Sequence, residues 1–236
     1  DDDIPEYVQD GVTDLGIVGL NVIEEKNAQV VQLESLGFGS CKLSIAVPRK
    51  SQISDLSDLE GKRIATSHVR VLESFLTNKK IAARIIEISG SVEITPSLNV
   101  ADAICDLVST GSTLRINDLQ PIEVVLNSEA MLIANPRSLA DERKRRLMER
   151  LRTRFKGNIR ARQTKYVMMN APEEALEEIK GILPGLKSPT VVSLAEKGMV
   201  AIHSAVPEEI FWEVIEKLKD TGASDILVLP VEKMVV

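Results

Sequence analysis

Runs of aliphatic, β-branched residues alternate with helix-length amphipathic segments along the chain, and this alternation limits the fold more than any other feature of the sequence. Strands are expected at residues 12–18, 40–47, 62–66, 103–108, 124–126 and 131–134. Between them, residues 56–61 read as a helical turn stopped by Gly61, and residues 69–78 as a helix. Such alternation implies the α/β class, with a mostly parallel sheet covered on both faces. The opening, Asp3 to Gly11, reads as a short helix with Asp3 as its cap, Pro5 in its first turn and Gly11 as its stop. An α/β domain rarely starts so abruptly, so earlier elements are expected ahead of Asp1.

Residues 137–155 form a long charged helix in this reading, with Leu147, Met148, Leu151 and Phe155 on one stripe. Its basic run, Arg143 to Arg146, reads as a solvated face. The net charge of −6 argues against nucleic acid as a partner, because that affinity comes from a basic surface. After Lys165 the pattern changes. Strands are expected at 165–169, 190–194, 199–204 and 225–229, and helices at 172–183, ended by Pro184-Gly185, and at 208–220. The order β-α-β-β-α-β is ferredoxin-like (ACT-like), a layout shared by many modules that bind amino acids.

Length and composition set outer bounds. At 236 residues the chain holds one large or two modest domains, and aromatic residues at 3% leave Ile, Val and Leu to fill the core. No apolar run approaches the roughly 20 residues of a membrane span, and Asp1-Asp2-Asp3 is the reverse of a basic signal-peptide start. No membrane partner is expected. Cys41 and Cys105 lie far apart, outside any Cys-x-x-Cys pair, and read as buried thiols in a reducing, cytoplasmic compartment.

The most chemical stretch runs from Asp102 to Leu114. A buried strand leads into Ser109-Thr110-Gly111-Ser112-Thr113, and a short helix follows. Amides at a helix start favour an anion, Gly111 lets the backbone approach it, and the four hydroxyls add donors. Asp106, near the C-terminal end of the strand, suits ribose hydroxyls, since open α/β sheets bind ligands at that edge. The bland alternative is a hydroxyl-rich helix cap. The loop is not a Walker loop, for no Gly-Lys-Ser/Thr follows. Glu93, in Gly90-Ser-Val-Glu93, is a second candidate, for a ribose hydroxyl or a magnesium-bound group, the alternative being an exposed loop acid. Asp14, on a strand leading to the glycine turn at Gly19, either faces a cleft or joins a capping network. His68 and His203 have no ligand partners at metal spacing and read as structural. No catalytic dyad is visible.

Several segments resemble the ATP phosphoribosyltransferase family. They include Asp14-Leu-Gly-Ile17, Gly61-Lys-Arg-Ile-Ala-Thr-Ser67, Gly90-Ser-Val-Glu93 and Ala101 to Thr113, then Lys165 to Met169, Ser188-Pro-Thr190 and Val228 to Met234. The resemblance covers nearly the whole chain, and the C-terminal module marks the long, histidine-regulated form. It implies a two-lobed periplasmic-binding-protein-like catalytic unit with substrates in the cleft. Lobe I would comprise residues 1–39 and 119–161, lobe II residues 40–118 with the phosphoribosyl-binding loop, and the regulatory domain residues 162–236. In the family, further strands, helices and a basic segment precede the point at which this sequence starts.

The reaction implied moves the phosphoribosyl group of phosphoribosyl pyrophosphate onto N1 of ATP, with Mg2+ as cofactor and pyrophosphate as leaving group. ATP is the nucleophile, so catalysis is positional. Asp14, Glu93, Asp106 and Ser109 to Thr113 are the expected substrate contacts. Histidine is the expected inhibitor, held near Asn170, Leu186, Ser188, Thr190, Ala205 and Asp225 between modules of a homo-oligomer, a hexamer by resemblance. The alternative of another class is a catalytically silent intracellular paralogue that senses a small anion.

Overall fold

The structure is a computed structural model, and it describes residues 2–183 and 188–234. Two compact units divide the chain, Asp1–Glu149 and Arg150–Val236, and the division falls inside a helix. In the first unit the elements run α1 (Ile4–Gln9), β1 (Leu15–Gly19), α2 (Leu20–Lys26), β2 (Val31–Ser35), β3 (Cys41–Pro48), β4 (Arg63–Thr66), α3 (Val69–Lys79), β5 (Arg84–Glu87), β6 (Ala103–Val108), α4 (Ser112–Ile116), β7 (Leu119–Ser128), β8 (Ala130–Ala134), α5 (Pro136–Ala140) and the start of α6 (Glu142–Arg162).

Lobe I is built on a three-stranded sheet in the order β1-β8-β2, with β8 antiparallel to both neighbours. Its core is Val8, Val18, Ile23 and Ile133. Gly16 lets α1 lie close on β1: a Cβ there would come within 2.8 Å of methyls of Ile4 and Val8. Pro5 sits in the first turn of α1 as expected, but Asp3 makes no side-chain cap bond. Instead its carbonyl accepts the Tyr7 amide, so the backbone closes the turn.

Lobe II carries five strands in the order β5-β4-β6-β3-β7. The pairs β4–β5 and β4–β6 are parallel, while β3 is antiparallel to both β6 and β7. Four strands therefore share one direction and β3 opposes them, which makes the sheet mixed rather than mostly parallel. Both faces are covered. Leu43, Ile45, Leu72 and Leu76 pack on one side and Ala46, Ala65, Ile104 and Leu114 on the other. Lobe I was expected to resume at Leu119, but β7 stays hydrogen-bonded to β3 as far as Ser128, and the chain crosses back only at Glu129. Long pairing with β3 holds that strand in the larger sheet.

The helix expected over 137–155 is two helices. Asn135 caps α5 by accepting the amides of Arg137 and Ser138, and Asp141 then leaves helical geometry. The Asp141 carboxylate accepts the Lys144 amide and starts α6 anew. On the expected apolar stripe Met148 is buried, but Leu147 is 52% exposed. The elements α2, β2 and β5 were not anticipated; each is short and carries weak periodicity.

The second unit continues with β9 (Thr164–Pro172), α7 (Leu176–Ile182), β10 (Thr190–Ser193), β11 (Met199–Pro207), α8 (Glu208–Asp220) and β12 (Ser224–Pro230). Its sheet order, β10-β11-β9-β12, is antiparallel throughout and ferredoxin-like. Val167, Met169, Ala171, Ile202 and Val206 pack against Ile179, Phe211 and Leu218. A short 3-10 turn, Glu173–Ala175, takes up the start of the helix expected from residue 172. Its expected stop at Pro184-Gly185 lies outside the described residues.

Candidate active site

β6 is buried from Ala103 to Cys105 and emerges at Asp106 and Leu107. The chain then turns through Gly111, whose φ of 73° places it in the left-handed region that favours glycine, and enters α4 at Ser112. Ser109, Thr110, Ser112 and Thr113 thus cluster at one sheet edge. Thr110 Oγ1 lies 3.0 Å from Ser112 Oγ, so two of the hydroxyls already face one another. Arg115, one helical turn into α4, donates its amide to Gly111 O and its guanidinium to Thr110 O at 3.3 Å. Beside the loop lies a groove of about 360 Å³ lined by Lys42, Asn127, Val108 and Ser109 to Gly111. Lys42 stands in register with Val108 on one side and Asn127 on the other.

Asp106 sits at the mouth of this loop. Burial pushes its carboxyl above the ordinary value, the Leu107 amide at 2.8 Å pulls it back, and nearby Glu93 raises it further. Glu93 occupies a one-turn 3-10 helix, Val92–Ile94, entered through Ser91 at φ 51°. Asp106, Glu93 and the Ser109–Thr113 loop are therefore brought together. Asp14 is not. It precedes β1 at the end away from Gly19, roughly 16 Å along the strand. There it accepts bonds from Ser138 and from Lys144 at 2.7 Å, and Lys144 first and Ser138 second hold its carboxyl below the usual range. Both donors are side chains, from α5 and α6.

In the second unit, Asn170 donates to Asp225 at 3.1 Å. Thr190 pairs with His203, and Ala205 with Tyr166. Asn170, Thr190 and Ala205 alternate with the buried core positions of their strands or pair with residues that do, so they share the sheet face away from α7 and α8. Ser188 precedes β10, and Leu186 lies outside the described residues.

Sequence reasoning missed Arg115 and Lys42. Arg115 was legible as a cation one turn after a hydroxyl-glycine loop. Lys42 was not, because only strand pairing sets it beside the loop. Among the described residues no group of three or more His, Cys, Asp or Glu is arranged to hold a metal ion, and no helix is long and apolar enough to cross a membrane.

These features define a class: a two-lobed α/β unit with a hydroxyl- and glycine-rich loop at one sheet edge, followed in the chain by a ferredoxin-like module. The family model described as ATP phosphoribosyltransferase matches residues 1–157, and that described as HisG, C-terminal domain, matches residues 161–233. The ATP phosphoribosyltransferase of Cytophaga hutchinsonii is 49% identical over 235 residues, spanning 100% of this chain and 82% of the relative. That of Bacteroides thetaiotaomicron is 48% identical over 236 residues, spanning 100% of this chain and 83% of the relative. Among solved structures, the ATP phosphoribosyl transferase (HisG:HisZ) complex from Thermotoga maritima aligns with a TM-score of 0.58 and 29% identity, over 66% of this chain and 76% of that one. The chain belongs to the ATP phosphoribosyltransferase family, in the long form that carries the C-terminal domain, and is an enzyme of that activity.

Proposed function

We propose that this chain transfers the phosphoribosyl group of phosphoribosyl pyrophosphate to N1 of ATP, releasing pyrophosphate, as the first step of histidine biosynthesis. The observation that carries the reading is the loop Ser109–Thr113 beside Asp106 in a chain related along its whole length to enzymes of that name. The loop takes the 5′-phosphate through hydroxyls and the first amides of α4, with Arg115 and Lys42 adding positive charge. Asp106 accepts from a ribose hydroxyl through its free carboxylate oxygen, and Glu93 serves a second hydroxyl or a metal-bound group. As N1 of ATP approaches, the bond from the ribose carbon to pyrophosphate lengthens and the carbon becomes cationic in character. The anionic pair Asp106 and Glu93 stands on the side where that charge develops.

Two carboxylates suit Mg2+, which is commonly held by one or two protein carboxylates together with substrate phosphates. When bound, the ion neutralises charge on the departing pyrophosphate. The protein's remaining task is orientation, which is worth about 7–11 kcal/mol in favourable cases. The test is turnover of ATP with phosphoribosyl pyrophosphate followed by ultraviolet absorbance. Binding without turnover would favour the silent anion sensor instead.

The reading extends to regulation and assembly. Histidine binds the second unit at Asn170, Ser188, Thr190, Ala205 and Asp225 together with Leu186, between modules of a homohexamer. Support comes from the open sheet face, where Tyr166, Leu227 at 57% and Leu229 at 42% are exposed alongside the polar candidates. Inhibition then requires histidine to favour one assembly state over another. Thr190→Val keeps the shape and removes the hydroxyl, so histidine affinity falls in calorimetry; an unchanged affinity would displace the site. Cys41 and Cys105 are unpaired, which supports the cytoplasm as the compartment.

A further inference from the structure

Helix α2 belongs to lobe I, yet two of its side chains grip lobe II and the crossing strand between them. Asn21 and Glu25 are four residues apart and so lie on one helix face. The Glu25 carboxylate accepts the Arg70 and Val71 amides, each at 3.0 Å, in the first turn of α3. Asn21, 6% exposed, accepts the Ser128 hydroxyl at 2.8 Å through Oδ1, while its backbone N–H donates to Ser128 Oγ at 3.0 Å. Ser128, 3% exposed, is the last residue of β7 before the chain crosses back to lobe I. The Asn21 side-chain Nδ2 then meets His68 Nε2 at 3.1 Å.

These roles set the protonation of His68. Asn21 spends its oxygen on Ser128, so its NH2 group must donate to His68, and Nε2 must accept. The ring is therefore neutral, with its hydrogen on Nδ1, facing Ser67 Oγ at 3.1 Å. His68 is further tied to the site strand: its amide donates to Thr66 Oγ1, which donates to the Cys105 carbonyl, one residue before Asp106. Gly19 is part of the arrangement, because a Cβ there would strike Asn21 Oδ1.

We propose that Asn21, His68 and Ser128, with Glu25 of α2 clamped on the start of α3, form an inter-lobe latch that sets the cleft, making His68 a positioning residue for lobe I over the lobe II site. The inference rests on the proposed activity for its functional meaning, though not for its geometry. Burial lowers the tendency of His68 to take a proton, while Glu25 on α2, Asp106 on β6 and Asp2 ahead of α1 oppose that. A protonated ring would turn Nε2–H against the Asn21 NH2 group. The latch then opens, or the Asn21 amide flips and loses its bond from Ser128.

The test uses the full chain as parent, His68→Gln and His68→Leu. Three quantities are measured: turnover with ATP and phosphoribosyl pyrophosphate, calorimetric affinity for phosphoribosyl pyrophosphate alone, and hydrogen exchange at the Arg70 and Val71 amides. His68→Leu is expected to lower kcat about tenfold. Affinity for phosphoribosyl pyrophosphate should stay within about twofold, because its loop and Asp106 both lie in lobe II. His68→Gln, whose amide oxygen accepts from Asn21, should restore most of the rate and remove a titration. The ratio of parent to His68→Gln turnover should therefore fall toward acid between about pH 7 and 5, a comparison in which substrate titration cancels. Parent-like kcat in His68→Leu, or a flat ratio across that range, overturns the latch. The ratio decides the matter even if the leucine variant does not fold. A parent with no turnover sinks the proposed activity instead; the latch then stands if acid speeds exchange at Arg70 and Val71 in the parent more than in His68→Gln, and falls if it does not.

Discussion

Asp106→Asn should weaken phosphoribosyl pyrophosphate binding and at the same time raise the stability of the ligand-free protein. One carboxylate oxygen of Asp106 is already engaged by the Leu107 amide at 2.8 Å, so one oxygen remains for the ribose. In the asparagine variant the side-chain oxygen stays with Leu107, and the NH2 group is left where an acceptor was needed. The loss is one hydrogen bond to a charged group, about 1.5–3 kcal/mol, or roughly 10- to 150-fold in affinity. Inorganic phosphate, which meets only the loop, should bind nearly as before. The stability change follows from the opposite sign of the same charge. Burial first, and Glu93 in support, raise the Asp106 carboxyl above its ordinary value. The folded chain therefore holds that proton more tightly than the unfolded chain. The charged carboxylate costs stability above its folded value, and the cost vanishes as pH falls below the unfolded value near about 4. Substitution by a neutral amide removes the cost at neutral pH, so Tm rises. Calorimetric titration with both ligands and a thermal melt without ligand measure the two effects. Equal losses for phosphate and phosphoribosyl pyrophosphate, or a lower Tm, would refute this account of Asp106.

Gly111→Val places a β-branched residue at φ 73° in the phosphate loop; a melt should show destabilisation of about 1–3 kcal/mol, and calorimetry a marked loss of phosphoribosyl pyrophosphate affinity. Gly16→Val forces a side chain into methyls of Ile4 and Val8, so Tm should fall by the equivalent of about 1–3 kcal/mol while phosphoribosyl pyrophosphate affinity is kept. Lys144→Met removes the main cause of the depressed Asp14 carboxyl. The stabilisation in the parent is fully present above the unfolded value and lost as pH falls through the folded one. Parent and variant melts should therefore differ at neutral pH and converge below about pH 4; a gap that persists in acid would contradict the pairing.

The sequence by itself determined what is encoded within a few neighbouring residues. The limits of β6 and α8 and the order of the ferredoxin-like module were all legible, because period and turn residues act locally. So was the loop after Asp106, a strand, a glycine and a run of hydroxyls in continuous chain. Tertiary structure alone decided whatever depends on which distant segments meet. Pairing with β3 keeps Leu119–Ser128 in the larger sheet, and nothing within those ten residues says so. Asp14 stood open between a cleft and a capping network, and Lys144 and Ser138, far along the chain, occupy its carboxylate. Asn21 meets His68 and Ser128 across separations of 47 and 107 residues. The physical reason is that a polar side chain carries no local mark of its partner: its hydrogen bond is satisfied wherever the packed backbone brings a complementary group within reach, and two lobes joined by two crossings settle that only after both sheets have formed.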